Sequence, residues 1–328
     1  MEREISHIEW KGYPRPRDIE KSRNTPNMEH TISFKENPGH KTITVNMVVK
    51  NEDQWIWYTI MSVIDYVDRM IIFDTGSIDR TVDVIHTIID RPEYRNKVYF
   101  EEVGSVSVGE YPRVRQRQLE MTDTDYMMLV DGDEVWWRDG IREVRSVLDE
   151  QAPPRVNTCF ICPCTDMYHY RDFRRELYAD KENGIYGSIN GRIFSMLIPG
   201  IHCSGDYGVE GFTDNNGQFE IYHAAVMEHF YFHCTKMRRS SAALGDESIA
   251  YRRRKIFDDW DYAFPEDYKY PEVFYCQDRP AIVPDPFKVR DNLTKRMAKC
   301  VVRIYRYVFR HDEYVKVGER NKKHDGFR

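Results

Sequence analysis

Tyr126-Met-Met-Leu-Val-Asp131-Gly-Asp133-Glu134 is the most telling segment of the chain. A short apolar run stops abruptly at three carboxylates within four residues. A run of this length bounded by polar signals reads as a buried strand. Carboxylates a few ångströms apart raise one another's pKa and repel unless a cation joins them. Hard divalent cations such as Mg2+ and Mn2+ prefer oxygen ligands of this kind. An isolated Asp-x-Asp can equally be a strand running into an acidic surface turn. The pattern upstream weighs against that plainer reading.

Thr42–Val49 is β-rich and stops at Lys50-Asn51-Glu52. Trp55 to Val67 has helical spacing, with Ile56, Ile60, Val63, Ile64 and Val67 on one face. Arg69–Phe73 reads as a short buried strand ending at Asp74-Thr-Gly-Ser-Ile-Asp79. Ser77 is placed to cap the following helix, with Asp79 and Asp83 near its positive end. Val82, Ile85, Ile88 and Ile89 carry that helix to about Asp90, and Pro92 closes it. Lys97–Val103 reads as a third strand and Pro112–Met121 as an arginine-rich helix, before the strand Tyr126–Val130. Strands alternating with helices imply βαβ units and a mostly parallel sheet. Right-handed crossovers put the strand ends on one edge, where such sheets bind ligands. Asn51/Glu52, Asp74 and Asp131/Asp133 all fall at those ends.

The second half is patterned differently. Val156–Tyr170 and Gly191–Ile198 are strand-like. Pro199–Gln218 is a Gly-rich loop with Asp206, Glu210 and Asp214. Ile221–His233 reads as a strand bearing His223, His229 and His233, and Met237–Phe257 as a basic helix. Pro265–Pro286 is rich in Pro and Tyr, and Asn292–Arg310 is an amphipathic helix. The division expected is a polar arm over 1–40, a domain over 41–235 and a helical basic extension over 236–328. Within the domain, a division at 137/138 separates 41–137 from 138–235.

The chain has 328 residues, 41% hydrophobic and 31% charged, ample for a globular core. The N-terminal segment lacks the apolar core of a signal peptide, and seven cysteines do not suggest a disulfide framework. A cytoplasmic setting, with membrane association as an option, is the expectation. From Arg290 onward, 12 Lys and Arg face 5 Asp and Glu, a net of +7. The remainder then carries −13 of the total −6. An acidic body does not suit a nucleic-acid reader, whereas the basic tail suits an anionic surface. The helix over 292–310 can pack on the domain over 41–235, the arrangement expected, or make peripheral contact with a membrane.

Three linked motifs carry a family resemblance: Val45–Glu52, Ile71–Thr81 and Met128–Glu134. Together they resemble the family 2 glycosyltransferases, whose α/β fold is called GT-A. The resemblance covers roughly residues 42–137 and implies a Rossmann-like, mostly parallel central sheet with flanking helices. It implies an enzyme of hexosyltransferase type that moves a sugar from a nucleotide-diphosphate sugar to an acceptor hydroxyl, generally with inversion. The acceptor can be a glycan, a lipid-linked group or a protein. By resemblance, Asn51, Glu52 and Asp74 hold base and ribose, and Arg115 lies near the donor. Gln116 stands where the family usually has Asn. Asp133 would bind Mn2+ or Mg2+ directly, and Asp131 the metal or the ribose. Glu228–His233 resembles a later segment that supplies a third ligand, with His229 first choice and His233 second.

An inverting enzyme needs one general base on the acceptor hydroxyl. Asp206 and Glu210 are the candidates, Asp206 first, with Asp214 and Glu228 also open. Trp136 and Trp137 suit a sugar ring or the core, and at least one is assigned to the core. Cys159, Cys162 and Cys164, near His169, could bind zinc, but no second Cys pair follows, so buried thiols are the simpler reading. Two competitors remain. A sugar-nucleotidyltransferase would open with a Gly-rich phosphate loop, and Asn46–Asp53 holds no glycine. A non-catalytic nucleotide- or carbohydrate-binding protein has no need of the acid trio.

Overall fold

The four strands of the N-terminal half run parallel, because a helix between each one and the next carries the chain back. They are β1 (Ile43–Val49), β2 (Arg69–Asp74), β3 (Val98–Glu102) and β4 (Tyr126–Leu129). The structure is a computed structural model that describes residues 40–150, 158–169, 172–174, 188–205, 210–216, 220–223, 230–242, 262–264, 267–290 and 293–309. The expected arm over residues 1–39 lies outside them.

The strand order is β3-β2-β1-β4, all parallel. The chain steps outward from β1 to β2 and β3, then returns to the other side of β1. That reversal opens a crevice at the carboxyl end of β1, the usual ligand position in such sheets. Every residue of β1 is buried, as befits a central strand covered on both faces. The register sets Val49 beside Asp74 and Asn46 beside Leu129, so the ends of β1, β2 and β4 lie together.

Helix α1 (Ile56–Val63) buries seven of its eight residues, including Trp57 and Tyr58, and runs into a 3-10 turn at Ile64–Tyr66. Helix α2 (Thr81–Ile89) buries Val84, Ile85 and Ile88. Its N-terminus corrects the capping expectation, because Arg80 is the cap residue and Ser77 makes no cap bond. Ser77 is drawn instead into the turn after β2. Asp79 serves the helix, its carboxylate accepting from the Thr81 amide at 2.9 Å. Helix α3 (Tyr111–Glu120) is pinned by Gln118, whose Nε2 donates to the carbonyls of Met47 (2.7 Å) and Ile71 (3.0 Å).

Beyond β4 the pairing is mixed. A short β5 (Glu134–Trp136) leads into α4 (Arg138–Glu150), a helix missing from the sequence reading although Ile141, Val144 and Leu148 mark its buried face. Strand β6 (Thr158–His169) pairs antiparallel with β7 (Asp172–Arg174) and with β8 (Ser188–Ser195). Strand β8 starts and ends three residues before the expected segment and runs antiparallel to β4. The expected loop over 199–218 contains a hairpin of β9 (His202–Ser204) and β10 (Gly211–Thr213). The single strand expected over 221–233 is described as two: β11 (Glu220–His223), parallel to β6, and β12 (Tyr231–His233), paired with both β5 and β6. A 3-10 turn at Cys234–Lys236 follows, and most of the expected helix over 237–257 lies outside the described residues. So do the side chains of Cys159, Cys162, Cys164 and His169.

A short β13 (Tyr262–Ala263) extends the sheet edge beyond β7. Residues 267–290 are irregular, as expected, but they belong to the core. Phe274 meets Tyr58 edge-on at 5.3 Å, Tyr58 Oη donates to the Pro284 carbonyl at 2.6 Å, and Val283 and Val289 are buried. A second, smaller apolar cluster of Leu119, Met127, Leu129, Phe194, Ile198 and Phe212 seats the β9–β10 hairpin beside α3. The last described element is α5 (Leu293–Phe309).

Because Gln118 ties α3 to two strands, Gln118→Leu is expected to lower unfolding free energy by about 2 kcal/mol in urea denaturation, the cost of leaving buried polar groups unmatched. Unchanged stability would mean the bridge carries no load.

Candidate functional site

The turn after β2 is built by its own polar groups. Asp74 Oδ1 accepts from the amides of Gly76 (3.1 Å) and Ser77 (2.9 Å), and Asp74 Oδ2 from the Ser77 hydroxyl. Gly76 has φ +85°, and a Cβ there would sit 3.1 Å from the Ser105 amide nitrogen. Asn51 adopts a left-handed conformation, φ 56°, which asparagine tolerates better than most residues. Its amide donates to Ser77 Oγ at 2.8 Å, while its side-chain carbonyl accepts from the Ile78 amide at 2.8 Å. Thr75 donates twice to the Val49 carbonyl, and the Glu52 amide donates to Thr81 Oγ1. Asn51 and Asp74, expected to touch base and ribose, are thus also the residues that shape the two adjoining turns.

The turn Asp131-Gly-Asp133 lies at the end of β4. The Glu134 amide donates to the Asp131 carbonyl, and Glu134 Oε2 accepts from the Asp131 amide, both at 3.1 Å. Gly132 is required sterically, since a Cβ would fall 2.8 Å from Glu52 Cγ and 3.1 Å from Val49 Cγ1. Four acids converge here, namely Glu52, Asp131, Asp133 and Glu134. All but Asp131 are buried.

Three arginines offset them. Arg115, on α3, donates to Asp131 Oδ1 at 2.6 Å. Arg192, on β8, donates to Asp131 Oδ2 at 3.2 Å, contacts Glu134 through the same nitrogen, and reaches Tyr231 Oη at 3.1 Å. Arg239, just after β12, donates to Glu52 Oε2 at 2.8 Å, contacts Oε1 as well, and lies 3.1 Å from Asp133 Oδ2. Burial works against the charge of Asp131, but Arg192 and Arg115 outweigh it and hold its pKa well below the usual carboxylate range. For Glu134 burial prevails over Arg192 and, with the neighbouring Asp131 charge, pushes the carboxyl up to about 7.

Sequence reading missed Arg192 and Arg239. The available signal for Arg192 was a cation inside an apolar strand, because a buried cation needs an acid opposite it. Residues 238–242 form a strap across the strand ends. The Gln54 amide donates to the Arg239 carbonyl, Trp55 Nε1 to the Arg238 carbonyl, Ser240 Oγ to Asp79, and the Ser241 amide to Asp53.

Among the histidines, His233 Nε2 lies 3.7 Å from Asp133 Oδ2, and the Cys234 amide donates to the Asp133 carbonyl at 2.7 Å. His229 and Glu228 lie outside the described residues. Among the described residues no three His, Cys, Asp or Glu side chains are already gathered around one metal position. The donor chemistry still fits a hard divalent ion. Asp133 and His233 are close enough to share one, and Asp131 adds a carboxylate if its arginines turn away.

The acceptor-side candidates separate. Asp206 is outside the described residues. Glu210 opens β10 and stands within electrostatic range of Arg115. Asp214 Oδ1 accepts from the Asn216 amide at 2.8 Å, a turn-building role. Gln116, at the family's Asn position, accepts from the Cys203 amide at 2.8 Å and so ties the hairpin to α3. Trp136 is core, stacked on Tyr231 at 4.8 Å. Trp137 packs on Phe232 and donates to the Lys269 carbonyl at 3.2 Å.

Gly132→Ala is expected to cost about 1–3 kcal/mol through overpacking against Glu52 and Val49. In a thermodynamic cycle the penalty should shrink when Glu52 is also Ala. Equal penalties in both backgrounds would place the clash elsewhere.

Residues 44–153 match the family model "Glycosyl transferase family 2". No curated protein matches the chain. Among solved structures, Staphylococcus aureus TarS 1-349 in complex with UDP is 16% identical, over 38% of this chain and 36% of that one, with a TM-score of 0.32. The same TarS fragment with UDP-GlcNAc is 14% identical over 66% and 67%, with a TM-score of 0.40. The mannosyltransferase PcManGT from Pyrobaculum calidifontis, in complex with GDP-Man and Mn2+, is 16% identical over 42% and 40%, with a TM-score of 0.31. The chain therefore spans little more than a third of the first of these relatives. The parallel sheet and the acids of its crevice fall within the matched segment, residues 44–153, so this part of the chain is similar to the glycosyl transferase family 2 model.

Proposed function

We propose that the chain transfers a sugar from a nucleotide-diphosphate donor to an acceptor hydroxyl, with help from a divalent cation and with inversion. The observation that carries this reading is the convergence of Glu52, Asp131 and Asp133 with Arg115, Arg192 and Arg239 at the switch point of the sheet. Glycosidic cleavage leaves a diphosphate, and preorganised positive charge is what lowers the barrier to its departure. Asp133 and His233 would hold the cation, with Asp131 shared between it and the ribose, and the cation would supply Lewis-acid stabilisation of the diphosphate. The guanidinium groups of Arg115 and Arg192 would donate to phosphate oxygens, a role that suits arginine better than lysine. Asn51, Glu52 and Asp74 line the base and ribose end. The base that takes the acceptor proton would come from the hairpin region, from Asp206 or Glu210. Glycan, lipid-linked and protein acceptors all present the hydroxyl that this chemistry requires.

Two experiments test the reading. UDP or GDP with Mn2+ should raise the melting temperature, since a ligand bound only by the native state stabilises it by about 2.7 kcal/mol at a hundred times its Kd. Asp133→Asn should remove the metal-dependent part of that gain. No stabilisation of the wild type by either nucleotide, with or without metal, would sink the proposal. Asp206→Asn and Glu210→Gln, assayed separately, should identify the base. One of them should lose about 10²–10⁴-fold in transfer while keeping nucleotide binding. Full turnover in both would move the base elsewhere.

A further inference from the structure

Helix α5 turns an exposed apolar side outward. Leu293, Met297, Val301, Ile304 and Val308 are all exposed, Met297 at 61% and Val301 at 65%. At 100° per residue these five, with Tyr305 at the edge, fall within one arc of about 120°. The expected packing of this stripe against the catalytic domain is therefore absent among the described residues.

The rest of the helix sequence narrows what covers the stripe. Lys295, Arg296, Lys299, Arg303 and Arg306 occupy an opposite arc of about 100° on the helical wheel. No Asp or Glu lies between 293 and 309. A second copy of α5 laid along the stripe would cover the apolar arc but leave both basic arcs facing outward, with no acid on the helix to pair them. The acidic remainder of the chain, net −13, would instead be repelled by the same anionic surface that attracts the helix. No described helix is long and apolar enough to cross a membrane.

We propose that α5 lies in the plane of an anionic lipid surface, with its apolar arc in the acyl boundary and its basic arc among the headgroups. At 17 residues it is about 25 Å long, enough for all five apolar side chains to enter together. Attraction of the basic arc and burial of the apolar arc each contribute, so both are needed for firm attachment. The acidic body is held on the water side, which leaves the strand-end crevice accessible to a soluble donor. This inference stands apart from the transfer reaction, and either can fail without the other.

The test is co-sedimentation of the full chain with vesicles. Binding is expected to phosphatidylcholine–phosphatidylserine vesicles, to weaken with added salt, and to be much weaker for pure phosphatidylcholine. Val301→Asp with Ile304→Asp should abolish binding, and each of Arg303→Gln and Arg306→Gln should weaken it about fivefold. Unchanged melting temperature and circular dichroism would certify that these variants are folded. Three results would overturn the proposal. One is no binding to anionic vesicles, and another is equal binding by the Asp variant. The third is a dimer, seen by analytical ultracentrifugation, that Val301→Asp dissociates while vesicle binding is nil, which would assign the stripe to a second copy.

Discussion

Four carboxylates cannot be gathered at the ends of neighbouring strands without countercharge, and Arg115, Arg192 and Arg239 supply it. This neutralisation is the constraint on which the rest of the architecture depends. Each arginine arrives from a different element: α3, the antiparallel strand β8, and the segment after β12. The mixed second half of the sheet therefore completes the cluster of acids and arginines at the strand ends. If β8 did not run beside β4, Asp131 and Glu134 would face each other with one cation fewer, and burial would make that arrangement costly.

The first half of the molecule was legible from its sequence. Contiguous apolar runs at 43–49, 69–73 and 126–130 and helical stripes between them leave few topologies, and right-handed crossovers then fix which ends meet. The acids at 52, 131 and 133 could be read because carboxylates at the ends of buried strands have few structural uses. Arg192 could not be read the same way. Its partner is set by strand pairing between segments more than sixty residues apart, and no local pattern records register. Arg239 was hidden for another reason, since the basic stretch after it resembles a helix while residues 238–242 are an irregular strap. Ser77 shows local rules in competition. A serine before a helix is a good cap, but Asp74 three residues earlier offers its hydroxyl a stronger, charged acceptor.

The acceptor side was only partly legible. The loop with Asp206, Glu210 and Asp214 was recognised as rich in acids, but its hairpin is defined by tertiary contacts that bury Phe212 against Phe194 and Leu119. Gln116 illustrates the same point. Its departure from the family's asparagine reads as a weakening of the motif, whereas its longer amide reaches the Cys203 backbone and anchors the hairpin. Helix α4 has regular apolar spacing at Ile141, Val144 and Leu148, so its buried face is written in the sequence.

Arg239 has a consequence for the order in which charge can enter the crevice. It bridges Glu52 and Asp133, so a lone cation approaching Asp133 meets a guanidinium already there, and a lone diphosphate meets the carboxylates behind it. Each intruder is opposed by half of the existing pairing. Under the proposed function, a cation and a diphosphate arriving together would face no such opposition, because the carboxylates could pass to the metal while the arginines passed to the phosphates. The crevice would then exchange partners as a unit and favour the metal–nucleotide complex over either component alone.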